Sequence, residues 1–272
     1  MEKNEFYKII LPLEKNIFFE LFNSVDFITT GTGRLGNTLV LVGDRGVPIV
    51  RTTTSYNVPA HSFSFYQHYL MDFIDRNTVA LKLKNSISFD FNNALIEVYD
   101  SNYRTMKFHS DQSLDLDLDK DSFIAIFSCY ENPEKLSDKT TRKLIVKNKE
   151  TNEECKITLG HNSVVLFSLE TNSRFLHKII LENNSTKNSE ELDNRWLGIT
   201  FRRSKTYINF EDGKPYFPNG SLLELADEQQ KKDFFKLKGE ENKDKNFIYP
   251  SLNYTFSASD TLVPKNMNKK NY

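Results

Sequence analysis

The sequence predicts a mainly β protein with flanking helices, a sandwich or barrel of antiparallel strands rather than a parallel α/β sheet. Three observations predict it. Short β-rich runs follow one another from Ala94 onward: "ALIEVYD", "SFIAIFSCY", "RKLIVKN", "CKITL", "SVVLFS", "RFLHKIIL" and "RWLGITFRR". No long helical pattern separates them, so the crossovers a parallel sheet requires are missing. The chain is also rich in aromatic residues, 22 Phe and 12 Tyr, which suit pleated, half-buried surfaces.

Each element follows from its own pattern. In the first sixty residues "GTGRLGNTLVLVGDRGVPIV" reads as glycine turns around strands; neither glycine group has the order or the G-K-[ST] ending of a phosphate loop. "HSFSFYQHYLMDFIDRN", His61 to Asn77, spaces Phe65, Tyr69, Phe73 and Phe63, Leu70, Ile74 as an amphipathic helix does. "ENPEKLSDKT" and "NNSTKNSEELDN" are loops by composition, and "EDGK" (Glu211 to Lys214) signals a hairpin. Ser221 and Glu224 have capping-box spacing ahead of "SLLELADEQQKKDFFKLKGEEN", which predicts a helix opening there. The final stretch, "NFIYPSLNYTFSASDTLVPKNMNKKNY", reads as extended with a frayed basic end. One domain with helical additions is expected: residues 1–93 as strands and a helix that support the core and form a substrate lid, 94–210 as the core, and 211–272 as a hairpin, helix and tail packed on it.

A formal net charge of -1 argues against a protein held on nucleic acid by bulk electrostatics, although a local basic patch suffices for binding. Cys129 and Cys155 give neither a disulfide framework nor zinc spacing and read as reduced thiols. No apolar run approaches the roughly 18 residues of a membrane span, and the first residues lack a signal peptide's apolar stretch, so an intracellular, cytoplasmic location is expected.

Chemistry concentrates in "YRTMKFHSDQSLDLDLDKD", Tyr103 to Asp121. On extended backbone His109 and Asp111 point to one side and can converge on a single atom. His177, in "SRFLHKIIL", is the candidate third ligand. Two histidines and a carboxylate leave adjacent coordination positions open, the arrangement that suits non-haem Fe(II) with a chelating cosubstrate and O2. The bland alternative is a solvated acidic loop with an incidental histidine. A dicarboxylate cosubstrate also needs a guanidinium for its far carboxylate, with a phenol as a natural second donor. Tyr99 precedes His109, and Arg195, Arg202 and Arg203 follow His177 in "NRWLGITFRRSKT". That order is what a 2-oxoglutarate-dependent oxygenase requires.

At these residues the sequence resembles the AlkB-like branch of the Fe(II)/2-oxoglutarate dioxygenases, over about Ala94 to Lys205. "LIEVYDSNYRTMKFHSD" is similar to that family's strand, tyrosine, turn and His-X-Asp segment, and "LGHNSVVLFSLETNSRFLHKI" to the stretch ending in its distal ligand histidine. The resemblance implies a double-stranded β-helix, or jelly-roll, core. It implies His109, Asp111 and His177 as iron ligands, and Tyr99, Arg202 and Arg195 as contacts of 2-oxoglutarate. It implies oxidation of the substrate by O2 with release of succinate and CO2, by hydroxylation or oxidative demethylation of an alkylated nucleic-acid base. Two positions depart from the family pattern: Trp196 stands where the first arginine of the last strand belongs, and Glu97 replaces an asparagine two residues before Tyr99.

Other readings stay open at this point. His161, in the turn "LGHNS", competes with His177, whereas His61 and His68 on the expected helix read as packing residues. Asp115, Asp117 and Asp119 alternate with leucines, which reads as a solvated edge or as a lid beside the metal that repels polyanions or holds a cationic substrate. "RTTTSYNVPAHSF" offers Arg51 and Tyr56 for phosphate or base contacts. A hydroxylase of a protein side chain or small molecule, and a metal-free β-sandwich binding module, are the alternative functions.

Overall fold

The computed structural model describes residues 5–83, 88–118, 121–182 and 194–265. The N-terminal part forms β1 (Tyr7–Ile10), α1 (Phe18–Phe22), β2 (Ile28–Gly31), β3 (Arg34–Val40), β4 (Val47–Pro48), β5 (His61–Ser62) and α2 (Phe65–Thr78). The expected helix thus starts four residues late. His61 and Ser62 pair in parallel with Leu39 and Val40 of β3. Ser64 then caps α2: its hydroxyl accepts from Tyr66 N–H, and its own N–H donates to Gln67 Oε1 at 2.7 Å. Leu70 and Ile74 face the core, while Phe65 is 72% exposed.

The core follows in the order expected: β6 (Asn93–Tyr99), β7 (Phe123–Tyr130), β8 (Lys143–Asn148), β9 (Glu154–Thr158), β10 (Ser163–Ser168), α3 (Leu169–Arg174), β11 (Phe175–Ile180) and β12 (Trp196–Arg202). The larger sheet runs β1-β10-β7-β12-β6-β3-β2, and the smaller one β11-β8-β9. Residues 105–109 extend the smaller sheet beyond β11 through antiparallel bridges Thr105–Ile180 and His109–His177. Strands β6, β12, β7 and β10 therefore face the 105–109 segment, β11, β8 and β9. This is a jelly roll, two four-stranded antiparallel sheets wound as a double-stranded β-helix.

Burial explains why these runs make strands. Every residue of β7 is buried because both faces of its sheet are covered. On one face Ile96, Phe127 and Leu197 pack with Phe18, Leu70 and Ile74 of the helices. On the other, Tyr99, Ile126, Leu144, Val146, Val165 and Trp196 fill the interior of the roll. Strand β11 shows strict alternation, which aims His177 and Phe175 inward. Gly198 is required by its neighbour: a Cβ there would lie 2.0 Å from the Trp196 ring.

The chain then forms β13 (Tyr207–Glu211) and β14 (Lys214–Tyr216), joined by the expected Asp212-Gly213 turn, whose φ angles of 49° and 74° fit a two-residue hairpin loop. β13 pairs with β4, which ties the C-terminal part to the N-terminal part. Next come β15 (Glu224–Leu225), α4 (Glu228–Glu241) and β16 (Tyr254–Thr255). The expected Ser221/Glu224 capping box is not formed. Glu224 pairs with Tyr254 of β16, and Asp227 with Gln230 caps the helix instead. Extended pairing satisfies residues 224–225, so the helix begins at the next side chain able to cap it. The expected loop at 183–193 and the basic end at 266–272 lie outside the described residues, as does Asp119. No helix among the described residues is long and apolar enough to cross a membrane.

Candidate active site

His109 and His177 lie opposite each other on the smaller sheet, exchanging backbone bonds of 3.0 and 2.7 Å. Their rings are 4.6 Å apart, and His177 Nε2 is 3.6 Å from Asp111 Oδ1. One ligand atom from each of the three residues lies within 4.8 Å of the others, and among the described residues they are the group of this kind that could hold a metal. The backbone of Asp111 is clamped by α3: Asp111 N–H donates to Asn172 Oδ1 at 2.9 Å, and Asn172 Nδ2 donates to Asp111 O at 2.8 Å. His109 Nδ1 lies 3.0 Å from Lys107 O, which leaves Nε2 for a ligand bond.

The electrostatics favour a cation. Burial, then the neighbouring His177, pushes His109 down to about 3, and burial also lowers His177. Both imidazoles are neutral at neutral pH and keep a lone pair for coordination. Burial alone would raise Asp111, but Arg202, His177 and His109 hold it below its ordinary value. Asp111 Oδ2 is buried with no hydrogen-bond partner among the described residues. A metal ion at this point would engage that orphaned oxygen and both imidazoles, so the residues present fit a divalent cation.

The three residues line a cavity of about 530 Å³ whose sheet wall includes Arg34, Leu95, Glu97, Ile126, Thr200 and Arg202. Arg202 is 3% exposed, and its Nη1 lies 3.6 Å from Asp111 Oδ2. Arg195, in contrast, is outside the cavity. It is bidentate to Glu131 at 2.8 and 2.9 Å and lies over the rings of Phe18 and Phe22, so its expected role as a cosubstrate contact is corrected. The register explains why: inward positions of β12 alternate as 196, 198, 200 and 202, and Arg195 precedes the strand. Trp196 takes the inward position and lies across Gly198, against Tyr99.

Tyr99 is also corrected as a direct contact. It is fully buried behind the cavity wall, and its hydroxyl donates to Glu97 Oε2 at 2.6 Å. Glu97 does line the cavity, but its charge is matched by Arg34, whose Nε donates to Oε1 at 2.7 Å. Burial works against the Arg34 charge, yet Glu97 more than compensates, and the guanidinium is held above its ordinary value. Sequence reasoning missed Arg34. The signal for it was Glu97 itself, since a carboxylate facing the interior of a sheet requires a cation on an adjacent strand.

The segment before the core contributes Thr52, Thr53 and Thr54 to the cavity wall, but not the two residues singled out there. Arg51 is buried against Asp115, with Nη2–Oδ1 at 2.7 Å, and Tyr56 is fully buried. The same pair corrects the acidic run: Asp115 is 0% exposed and structural, Asp117 pairs with Arg203, and no solvated edge or polyanion-repelling lid is formed by them. His161 is no rival ligand; its Nδ1 accepts from Tyr130 N–H at the end of β7. His61 is buried and accepts from Asp26 N–H, while His68 is exposed on α2. Both cysteines are free thiols.

The remaining wall comes from α4, through Phe235, Lys238, Gly239 and Asn242 just beyond its end. Asn242 Oδ1 accepts from both the N–H and the hydroxyl of Ser110 at 3.1 Å, and Glu241 Oε1 accepts from the N–H and hydroxyl of Ser113. The helix is thereby pinned to the segment that carries His109 and Asp111.

A jelly roll with two histidines and one carboxylate converging at its mouth defines a non-haem metal enzyme that leaves adjacent coordination positions open. A family model described as the 2OG-Fe(II) oxygenase superfamily matches residues 50–202, more than half of the chain, and the chain belongs to that superfamily. Its members use Fe(II), 2-oxoglutarate and O2, and this chain is accordingly a non-haem iron dioxygenase. Among solved structures the chain is similar to OsALKBH1, at 13% identity and a TM-score of 0.45, covering 73% of this chain and 98% of that one. It is similar also to a prolyl hydroxylase from Trichoplax adhaerens in complex with a hypoxia inducible factor oxygen degradation domain peptide fragment, at 13% identity and a TM-score of 0.45, covering 75% and 85% of the two chains. A search of curated proteins gives no match.

Proposed function

We propose that His109, Asp111 and His177 hold the Fe(II) of this oxygenase and that Arg202 and Arg34 line the seat of 2-oxoglutarate. The observation that carries the assignment is the convergence of the three side chains on one point, with a buried carboxylate oxygen that accepts no hydrogen bond there. When bound, iron and 2-oxoglutarate together supply O2 activation, with oxidation of a substrate C–H bond and release of succinate and CO2. The chain's own work is orientation and exclusion of water. Asn172 holds the Asp111 backbone and Lys107 O orients the His109 ring, so both are positioned by the chain itself. Glu97 is ion-paired with Arg34 and accepts a hydrogen bond from the Tyr99 hydroxyl, which offsets its repulsion of a dicarboxylate. On this reading residues 1–93 support the core and form a substrate lid, 94–210 are the catalytic core, and 211–272 pack on the same domain, with α4 as a wall of the cavity.

The primary substrate proposed is an alkylated nucleic-acid base, oxidatively demethylated; it rests on the motif-level resemblance to the AlkB-like branch. A protein side chain or a small molecule is the second reading, favoured by the net charge of -1. The test is succinate release by metal-loaded protein with 2-oxoglutarate, screened against methylated oligonucleotides and against small metabolites and peptides. Stimulation by the methylated oligonucleotide, with loss of the methyl group, is the expected result. Stimulation by peptides or metabolites alone would overturn the nucleic-acid reading and keep the oxygenase one.

A further inference from the structure

We propose that Lys238 of α4 is a substrate-specificity residue that binds an anionic group, phosphate or carboxylate, of the primary substrate beside the metal site; this rests on the oxygenase reading above. Lys238 lies outside the residues matched by the family model, 50–202, and reaches the same cavity as His109, Asp111 and His177. Phe235 and Gly239 flank it on the helix face that forms the wall, so an apolar moiety and an anion would be met by adjacent side chains.

The case is one of charge accounting. Among the described residues no salt bridge is made by Lys238, and the carboxylates that influence it, Asp111 and Glu241, are both committed elsewhere. Asp111 faces Arg202 and the two imidazoles. Glu241 accepts from Ser113 through Oε1 and from the Tyr249 hydroxyl through Oε2. Burial lowers the Lys238 ammonium, with Arg202 and Arg34 adding to the effect. A divalent ion in the triad would remove what compensation Asp111 offers. Lys238 is half-buried and lines the cavity without an ion-pair partner among the described residues, so the loaded cavity favours a ligand that brings a negative charge to this wall. On the reading above the cosubstrate lies against the sheet, with Arg202 as its cation because Arg34 is paired with Glu97, which leaves the helix side for the substrate. Of the acidic run, Asp115 and Asp117 are paired with Arg51 and Arg203 and offer no free carboxylate to a cationic substrate.

The experiment uses the full chain loaded with Mn(II) and saturating N-oxalylglycine, an inert mimic of 2-oxoglutarate. Phenyl phosphate, phenylacetate and the neutral phenylacetamide are titrated into wild type, Lys238→Met and Lys238→Arg by calorimetry. In wild type one of the two anions is expected to bind at least about tenfold more tightly than the amide, as a charge-assisted hydrogen bond requires. That preference should vanish in Lys238→Met and persist in Lys238→Arg; which anion wins separates a phosphate from a carboxylate source. Equal binding of anions and amide by wild type overturns the proposal without recourse to any variant. So does a preference that survives in Lys238→Met, or weakened N-oxalylglycine binding in that variant with no anion bound by loaded wild type, which would give Lys238 to the cosubstrate. Failure of Mn(II) with N-oxalylglycine to raise the wild-type melting temperature sinks the cosubstrate seat instead, a result distinct from any of these.

Discussion

Replacing Asp115 by alanine removes a carboxylate that has no contact with solvent and leaves its partner stranded. Both oxygens of Asp115 are used: Oδ2 accepts from Arg51 N–H at 2.7 Å and Nε at 3.0 Å, and Oδ1 accepts from Nη2 at 2.7 Å. The Arg51 side chain is only 4% exposed, and its other bonds go to the carbonyls of Leu252 and Tyr254. After Asp115→Ala the guanidinium stays buried with two backbone carbonyls and loses its paired carboxylate, with Asp260 the acidic group that still acts on it. Breaking one side of such a pair costs about 3–5 kcal/mol. For a chain of this size that is a fall in melting temperature of roughly 5–9 °C. Trp196 is the single tryptophan and is buried in the roll, so its fluorescence in a urea titration reports the loss. The double variant Arg51→Met/Asp115→Leu should lose less than Asp115→Ala alone, because the uncompensated charge is gone. An Asp115→Ala protein within about 0.5 kcal/mol of wild type would show that the carboxylate behaves as a surface group, and the buried-pair argument would fail.

Other outcomes follow from the site. His109→Ala and His177→Ala should each abolish succinate release and the rise in melting temperature with Mn(II) plus N-oxalylglycine; substantial turnover in either refutes the ligand assignment. Arg202→Met should raise the KM for 2-oxoglutarate by about ten- to a hundredfold, the worth of a charged hydrogen bond. Arg195→Met should leave that KM unchanged, since its partner is Glu131; an equal rise in both variants would return Arg195 to the site. The pH dependence of the metal-free protein has a definite sign. Unfolded histidine takes up a proton below 6.5, but native His109 does not until about 3, so its contribution is complete above pH 6.5 and is lost on acidification toward 3. Burial raises Asp260 from 3.8 to about 7, so its contribution is complete below 3.8 and lost as pH rises to 7. His109→Gln should therefore lose less stability than wild type between pH 7 and pH 5, and Asp260→Asn more, read as urea midpoints; the reverse order refutes the assignment.

The seven β-rich runs were legible because each is a short apolar or alternating stretch bounded by turn residues, and all seven form strands within a residue or two of the expected limits. His109 and Asp111 were legible as a pair through spacing, since residues two apart on extended chain share a side, whereas His177 was named from its place in a β-rich run and from the family likeness, and the structure brings its ring to the pair. What stayed hidden depends on distance along the chain. Arg195 and Tyr99 were assigned from their neighbourhood, but the inward register of β12 and the depth of Tyr99 are set by packing that no local pattern records. Alternation made Asp115 look like a wet edge; only the approach of Arg51, 64 residues away, shows it to be interior. Lys238 sits between Leu237 and Gly239 in a helix that looks ordinary until its docking partner, the Ser110–Ser113 turn, is known.

The pinning of α4 to Ser110 and Ser113 couples two distant parts of the chain. A break at residues 110–113 or at 241–242 would loosen the helix wall and the His109–Asp111 segment together, so damage to the helix would reach the proposed ligands without touching them.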